Sequence, residues 1–272
     1  MGKSERYLKK LKPGETEIER LFEGFDELRE ILKDVSTIEE GRAYHLKNNK
    51  SLIRLYDLLD GYNIKHPNPK LIRKDGDKEF CVKIATLTME LSNKNKKKRD
   101  ENMKKKGNSN SEDYYWKNHK NKPRNVYGLD GINKSLRSVY FNRGHLIADS
   151  IIKYTDCFKN YSWENFVMIT DWCNRANTKI NEKKAFGMFH FEEMVLGALE
   201  EGDSIIYSVT PVFKKISENG QSNGVEVYEL LPRGIIMEAK IKGKENTLFN
   251  VFIPNAQKGL EINYATGRVV KV

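Results

Sequence analysis

The sequence predicts an α+β fold in which a small helical N-terminal segment precedes a larger body built on an antiparallel sheet. Near the N-terminus apolar residues recur at three- and four-residue steps. The C-terminal third holds runs of Val, Ile, Tyr and Phe broken by turn residues, and a polar stretch with two prolines separates the two patterns. With 272 residues, 38% of them hydrophobic, the chain is long enough to bury a sizeable core.

Ile18, Leu21, Phe22, Phe25, Leu28, Ile31 and Leu32 fall on one face of a helix from Glu15 to about Lys33, and Pro13-Gly14 marks its start. Ser36 followed by Glu39 reads as a capping box for a second short helix. Leu52, Ile53, Leu55, Tyr56 and Leu59 imply a third, ending at Gly61. His66-Pro67-Asn68-Pro69 disfavours helix, so the boundary between an N-terminal segment (1–78) and the main body (79–272) falls near residues 65–78. The apolar face of the segment either packs on the main body or serves delivery or partner docking.

Phe80 to Leu91 reads as a strand. The polar run from Ser92 to Ser111, with Lys94, Lys96, Lys97, Lys98, Arg99, Lys104, Lys105 and Lys106, reads as a mobile basic loop, either a solvated linker or an arm that contacts phosphate. Ser138–Phe141 and Phe166–Ile169 are strand-like, whereas Asp171–Asn177 and Phe186–Leu199 have helical character. Ser204–Phe213, Val225–Leu231, Ile235–Lys242, Thr247–Ile253 and Leu260–Tyr264 are expected to pair as an antiparallel sheet.

The formal net charge of +10 favours a polyanionic partner, nucleic acid first and an anionic membrane surface second. Cys81, Cys157 and Cys173 are odd in number and form no C-x-x-C pair, which excludes a disulfide framework and fits a reducing compartment. No apolar run is long enough to span a bilayer, and the first residues lack the apolar stretch of a secretory signal. The expected location is the cytoplasm, or the exterior by a route that does not use such a signal.

Reactive side chains concentrate in Asn142-Arg143-Gly144-His145-Leu146-Ile147-Ala148-Asp149. A histidine there, directly after a strand, is either a general base beside a groove or a hydrogen-bonded structural residue. Asn165 and Asn174 flank the apolar Phe166–Ile169 strand. Asn174, at the start of a helix, is either an N-cap or an oxygen ligand suited to magnesium, which keeps several waters and takes few protein ligands. Glu192 is a surface carboxylate unless its helix turns it toward the same cleft.

On Arg143-Gly144-His145, Asn165, Asn174 and the tail block Phe249–Leu260 with Asn263-Tyr264-Ala265-Thr266-Gly267, the chain resembles the non-specific DNA/RNA endonuclease family of the ββα-metal (His-Me finger) superfamily. The branch it resembles is that of the DNA-entry nucleases and streptococcal secreted DNases, over about residues 79–272. The resemblance implies a ββα-metal nuclease fold and Mg²⁺-dependent hydrolysis of DNA, with RNA as a further substrate, leaving 5′-phosphate and 3′-hydroxyl ends. It implies His145 as general base, Asn174 as the direct Mg²⁺ ligand and Arg143 as a phosphate contact. Asn165 would be a second active-site asparagine and Glu192 the acid that holds metal-bound water. Lys96, Lys97, Lys98 and Arg175 are the residues expected to bind nucleic acid. One position departs: Asn142 stands where the family signature has Asp, which removes a negative charge beside the site. An alternative is therefore a catalytically impaired nucleic-acid-binding module that keeps the fold. A bacterial toxin or a DNA-processing nuclease is the expected setting, with an acidic inhibitor (immunity) protein as the expected partner.

Overall fold

The computed structural model describes residues 12–33, 35, 37–38, 43–46, 72–75, 78–82, 87–98, 140–155, 165–176, 186–216, 227–245 and 247–272. The third helix expected around Leu52–Leu59, the turn at His66–Pro69 and the basic run beyond Lys98 lie outside those residues.

The N-terminal apolar face folds as two helices, α1 (Glu15–Phe22) and α2 (Asp26–Leu32), in place of one. The break falls at Gly24, whose φ of +64° carries the chain through a left-handed turn that a side chain would strain. All seven residues of the expected face are buried. The short helix expected after Ser36 is replaced by the strand β1 (Thr37–Ile38), which pairs with β2 (Ala43–His45). Thr and Ile are β-branched and lose little when placed on a pleated surface, so pairing outweighs the capping signature.

Beyond them come β3 (Ile72–Asp75), β4 (Lys78–Val82) and β5 (Leu87–Leu91), so the single strand expected from Phe80 to Leu91 is two. The first part of the expected basic loop is a helix, α3 (93–98). Ser92 caps it, its Oγ accepting from the Asn95 N–H at 3.2 Å. Then follow β6 (Phe141–His145), α4 (Asp149–Ile152), β7 (Phe166–Thr170), α5 (Asp171–Arg175) and α6 (Met188–Glu200). The remaining strands are β8 (Ile205–Val212), β9 (Val227–Tyr228), β10 (Gly234–Ile241), β11 (Thr247–Pro254), β12 (Leu260–Asn263) and β13 (Arg268–Lys271).

Six strands form an antiparallel sheet in the order β1-β2-β11-β10-β8-β5. Two of the C-terminal strands expected in it pair elsewhere: β9 joins β3 and β4, and β12 forms a hairpin with β13. Pro211 sits in β8 opposite Ile235, beyond the last β5 partner at Val209, so its missing N–H leaves no gap in the ladder toward β5. The side chains of the sheet alternate between two apolar layers. Met237, Ala239, Val251, Tyr207 and Val209 face α4, α6 and the β6–β7 hairpin in one cluster. Ile236, Phe252, Val212 and Tyr44 face α1, α2 and the β12–β13 hairpin in the other. Among the described residues no helix is long and apolar enough to cross a membrane.

Two buried polar clasps join the N-terminal helices to the C-terminal strands. The Glu17 carboxylate accepts from the Gly14 N–H at 2.7 Å and the Gly259 N–H at 3.0 Å, with Lys258 Nζ at 3.2 Å. Burial pushes this carboxyl up, but those two amides and Lys258 outweigh it and hold it below the ordinary glutamate value. Arg233 grips both oxygens of Glu229 and donates from Nη1 to the Leu21 carbonyl at 2.7 Å, satisfying one of the carbonyls that a helix end leaves open. Its guanidinium lies 4.4 Å from the centre of the Tyr264 ring. Leu21→Ala is expected to cost about 2–5 kcal/mol. Urea unfolding followed by both far-UV circular dichroism and tryptophan fluorescence should show the loss in one cooperative transition. A separate early transition confined to the helical signal would refute a shared core.

Candidate active site

Each strand of the β6–β7 hairpin delivers one reactive element to the same unit. In register, Phe141 pairs with Thr170, Asn142 with Ile169, Arg143 with Met168, Gly144 with Val167 and His145 with Phe166. The chain leaves β7 directly into α5, which packs back against β6, β7 and α6. A Cβ at 144 would stand 2.3 Å from Ile169 Cδ1, so any side chain there would have to push the buried Ile169 aside. His145 therefore closes a strand pressed tightly on its neighbour.

The His145 side chain is 21% exposed, and its Nε2 lies 3.7 Å from Asp149 Oδ1 in the first turn of α4. Behind it, Asn165 is fully buried, and both ends of its amide are engaged. Oδ1 accepts from the Ile147 N–H and Nδ2 donates to the Ile147 carbonyl, each at 2.8 Å, while its own carbonyl accepts from Leu146 N–H at 2.7 Å. Asn165 thus fixes the two residues that follow His145.

Asn174 is the fourth residue of α5, so it is not the N-cap. Thr170 fills that position, its Oγ1 accepting from the Cys173 N–H at 3.1 Å. The partly buried Asn174 amide has no hydrogen-bond partner among the described residues. Asn142 donates from Nδ2 to Asp171 Oδ1 at 2.8 Å, so the negative charge absent at 142 stands in the first turn of the adjacent helix. Arg143 lies in mid-strand, and its side chain is outside the described ones.

Glu192 is buried, whereas Glu193 beside it is exposed. Burial pushes the Glu192 carboxyl up to about 8, Glu193 adds to the rise, and Arg175 on α5 opposes it. Arg175, Asn174 and Glu192 thus belong to the packed α5–α6 pair. The pair is close: a Cβ on Gly187, the N-cap of α6, would stand 2.7 Å from the Trp172 carbonyl and 2.8 Å from the Ala176 nitrogen. Ala176 ends α5 with φ +47° and ψ −138°, a strained conformation for a residue with a side chain. Lys96, Lys97 and Lys98 lie on α3, which Asn93 joins to the C-terminal end of α6 through the Leu199 carbonyl at 2.7 Å.

The residues that hold α5 in place carry no signal in their own neighbourhood. Asn255 is fully buried. Its Oδ1 accepts from the Thr170 N–H at 2.7 Å and its Nδ2 donates to the Pro232 carbonyl at 2.8 Å. Thr170 Oγ1 donates to the Ala256 carbonyl at 3.0 Å, and Gln257 Oε1 accepts from the Trp172 N–H at 3.1 Å. Their only mark in the sequence is that they belong to the Pro254-Asn255-Ala256-Gln257 part of the tail block.

A divalent cation fits this donor set. A partly buried amide oxygen with no partner among the described residues, on a helix packed against the one that carries a buried carboxylate, is what magnesium takes while keeping most of its water. No group of three or more His, Cys, Asp or Glu side chains of the kind that encloses zinc gathers among the described residues.

No protein-family model matches the chain. It is similar to the solved structure of NucA from Streptococcus agalactiae with magnesium bound, at 27% identity over 49% of this chain and 55% of that one, with a TM-score of 0.37. NucA with no metal bound matches at 18% identity over 91% of this chain and 95% of that one, with a TM-score of 0.47. The Sda1 nuclease with bound zinc ion matches at 26% identity over 49% and 45%, with a TM-score of 0.36. The matched part spans about half the length of magnesium-bound NucA and of Sda1.

Two measurements probe this architecture. Asn255→Ala leaves the Thr170 N–H and the Pro232 carbonyl buried without partners, and the expected loss is about 1–3 kcal/mol in urea unfolding. A change below about 0.5 kcal/mol, the range of an indifferent surface substitution, would show that α5 does not depend on it. Folding favours the protonated form of Glu192. Its contribution is therefore full below the ordinary value of 4.5 and is gone once pH passes about 8. In EDTA, Glu192→Gln should match the parent's melting temperature near pH ~4.5 and exceed it above pH ~8. Equal melting temperatures at both ends would contradict the burial of an ionisable Glu192.

Proposed function

We propose that the protein is a divalent-metal-dependent endonuclease, with Mg²⁺ as the ion, that hydrolyses phosphodiester bonds in DNA and accepts RNA through the same backbone chemistry. The observation that supports this reading is the strand–strand–helix unit. It carries a partly buried histidine at the end of its first strand and an unpartnered asparagine amide on its helix.

A phosphodiester repels an attacking nucleophile with its own negative charge, so hydrolysis needs both an activated water and a counter-charge. His145 takes the proton from water. Asp149, 3.7 Å from Nε2, stabilises the imidazolium that results. Asn165 never touches substrate; it keeps the His145–Ile147 turn rigid, and so keeps the imidazole aimed. Asn174 would hold the cation directly and Glu192 would hold it through water, and a cation bound there supplies Lewis-acid stabilisation of the charge on phosphate. Arg143 and Arg175 add positive charge for the backbone, as do Lys96, Lys97 and Lys98. Contacts to phosphate carry no sequence information, so cleavage has little sequence preference. Such an activity needs restraint where it is made, and an acidic inhibitor protein suits a chain of net charge +10.

His145→Ala is expected to lower plasmid cleavage by about 10²- to 10⁴-fold while duplex binding and melting temperature stay near the parental values. Asn174→Ala should lose cleavage and Mg²⁺ affinity together, the latter read by isothermal titration in the absence of substrate. Full cleavage by a folded His145→Ala protein, or by parent protein in EDTA, would overturn the proposal.

A further inference from the structure

Beyond the strand–strand–helix unit, α4 carries the chain from the catalytic histidine to a second basic feature. Asp149, the residue beside His145, opens α4, and Lys153 closes it four residues later. Residues four apart share a helix face, and four steps of 1.5 Å place Lys153 about 6 Å along the axis from Asp149. The Lys153 ammonium lies 5.4 Å from the centre of the Tyr154 ring, and the Lys96 ammonium, arriving from α3, lies 5.1 Å from the same ring.

This surface is built. Tyr154 is buried, and its carbonyl accepts from the Ser92 N–H at 3.0 Å. Asn93 Nδ2 donates to the Leu199 carbonyl at the end of α6 at 2.7 Å, and Asn95 Nδ2 donates to the Glu90 carbonyl at 3.2 Å. α3 is thereby pinned to β5, α4 and α6. Two ammonium groups share one aromatic ring, yet none of Lys94, Lys96, Lys97 and Lys153 pairs with a carboxylate among the described residues. Each cation gains from the ring, and neither charge is neutralised by a carboxylate there, which leaves both to attract an anion.

We propose that Lys153 and Lys96, held over Tyr154, form a phosphate track that carries the nucleic-acid backbone away from His145 toward the Lys94–Lys97 turn of α3. A duplex strand presents one charge per ~3.4 Å of axis, so two lysines on one surface can each take a phosphate of the same strand. The inference rests on the nuclease reading and adds to it a direction along which substrate lies, together with two residues, Lys153 and Tyr154, that extend the site.

The test is duplex affinity against salt, measured in EDTA so that no cleavage intervenes. Replacing both lysines (Lys96→Gln and Lys153→Gln) keeps most of each stem over the ring while removing two charges. The slope of log affinity on log salt should become shallower by about 1.8, at roughly 0.9 per phosphate contact. Lys153→Arg should keep the parental slope. Lys33→Ala, whose ammonium pairs with Glu30 on α2 against the opposite face of the sheet, should also leave it unchanged. A parental slope in a double variant that melts like the parent would overturn the track while leaving the nuclease reading intact. Absence of cleavage by the parent in Mg²⁺ would remove the nuclease reading itself. If the double variant unfolds, the single Lys153→Gln protein decides alone: a slope shallower by about 0.9 supports the track and an unchanged slope refutes it.

Discussion

The candidate active site depends on three hydrogen bonds at the start of a five-residue helix. α5 is too short to be stable by propensity, and its first N–H groups have no partner within the helix. Asn255 takes the Thr170 N–H, Gln257 takes the Trp172 N–H, and Thr170 itself takes the Cys173 N–H. Two of the three acceptors come from a segment some 85 residues away in the chain. The helix that presents Asn174 exists as a tertiary construction, and its position is that of the end of β11.

The same segment ties the site to the N-terminal helices. Next to Gln257, the Gly259 N–H and Lys258 Nζ bind the buried Glu17 of α1, and Arg233, whose carbonyl accepts from the Asn255 N–H, holds the Leu21 carbonyl. A continuous polar path therefore runs from α1 through residues 255–259 to α5. The six-stranded sheet gives this path its rigidity, because its two apolar layers lock both ends. α1, α2 and β2 therefore brace the strand–strand–helix unit, and their apolar faces are used in the shared core.

What could be read from the chain alone was whatever depends on short-range periodicity. The buried face of α1 and α2 was legible to the residue, as were the three long strands β8, β10 and β11, because burial there follows 3.6- and 2-residue repeats. The break at Gly24 and the strand at Thr37–Ile38 were not, since each is decided by what packs across it. The motif around His145 and the asparagine at 174 stood out through their resemblance. The work of Asn255 and Gln257 did not, because a buried amide pays its desolvation through a partner far away in sequence. Glu192 and Glu193 are indistinguishable as letters, and only the phase of α6 buries one and exposes the other. The basic run after Ser92 resembled a linker, yet a serine cap and two asparagine side chains make its first part a fixed helix.

Asn142 shows how such a site tolerates a change of letter. A carboxylate at 142 would meet Asp171 across the 2.8 Å now spanned by a hydrogen bond, and the two like charges would repel. With the amide at 142 and the acid at 171, one negative charge remains beside the helix that carries Asn174, and it sits in that helix's first turn, where the dipole favours it. The donated hydrogen bond also ties β6 to α5, so the strand bearing His145 and the helix bearing Asn174 cannot shift independently. Asn142 therefore keeps a carboxylate beside the strand by way of Asp171 and adds a crosslink between β6 and α5.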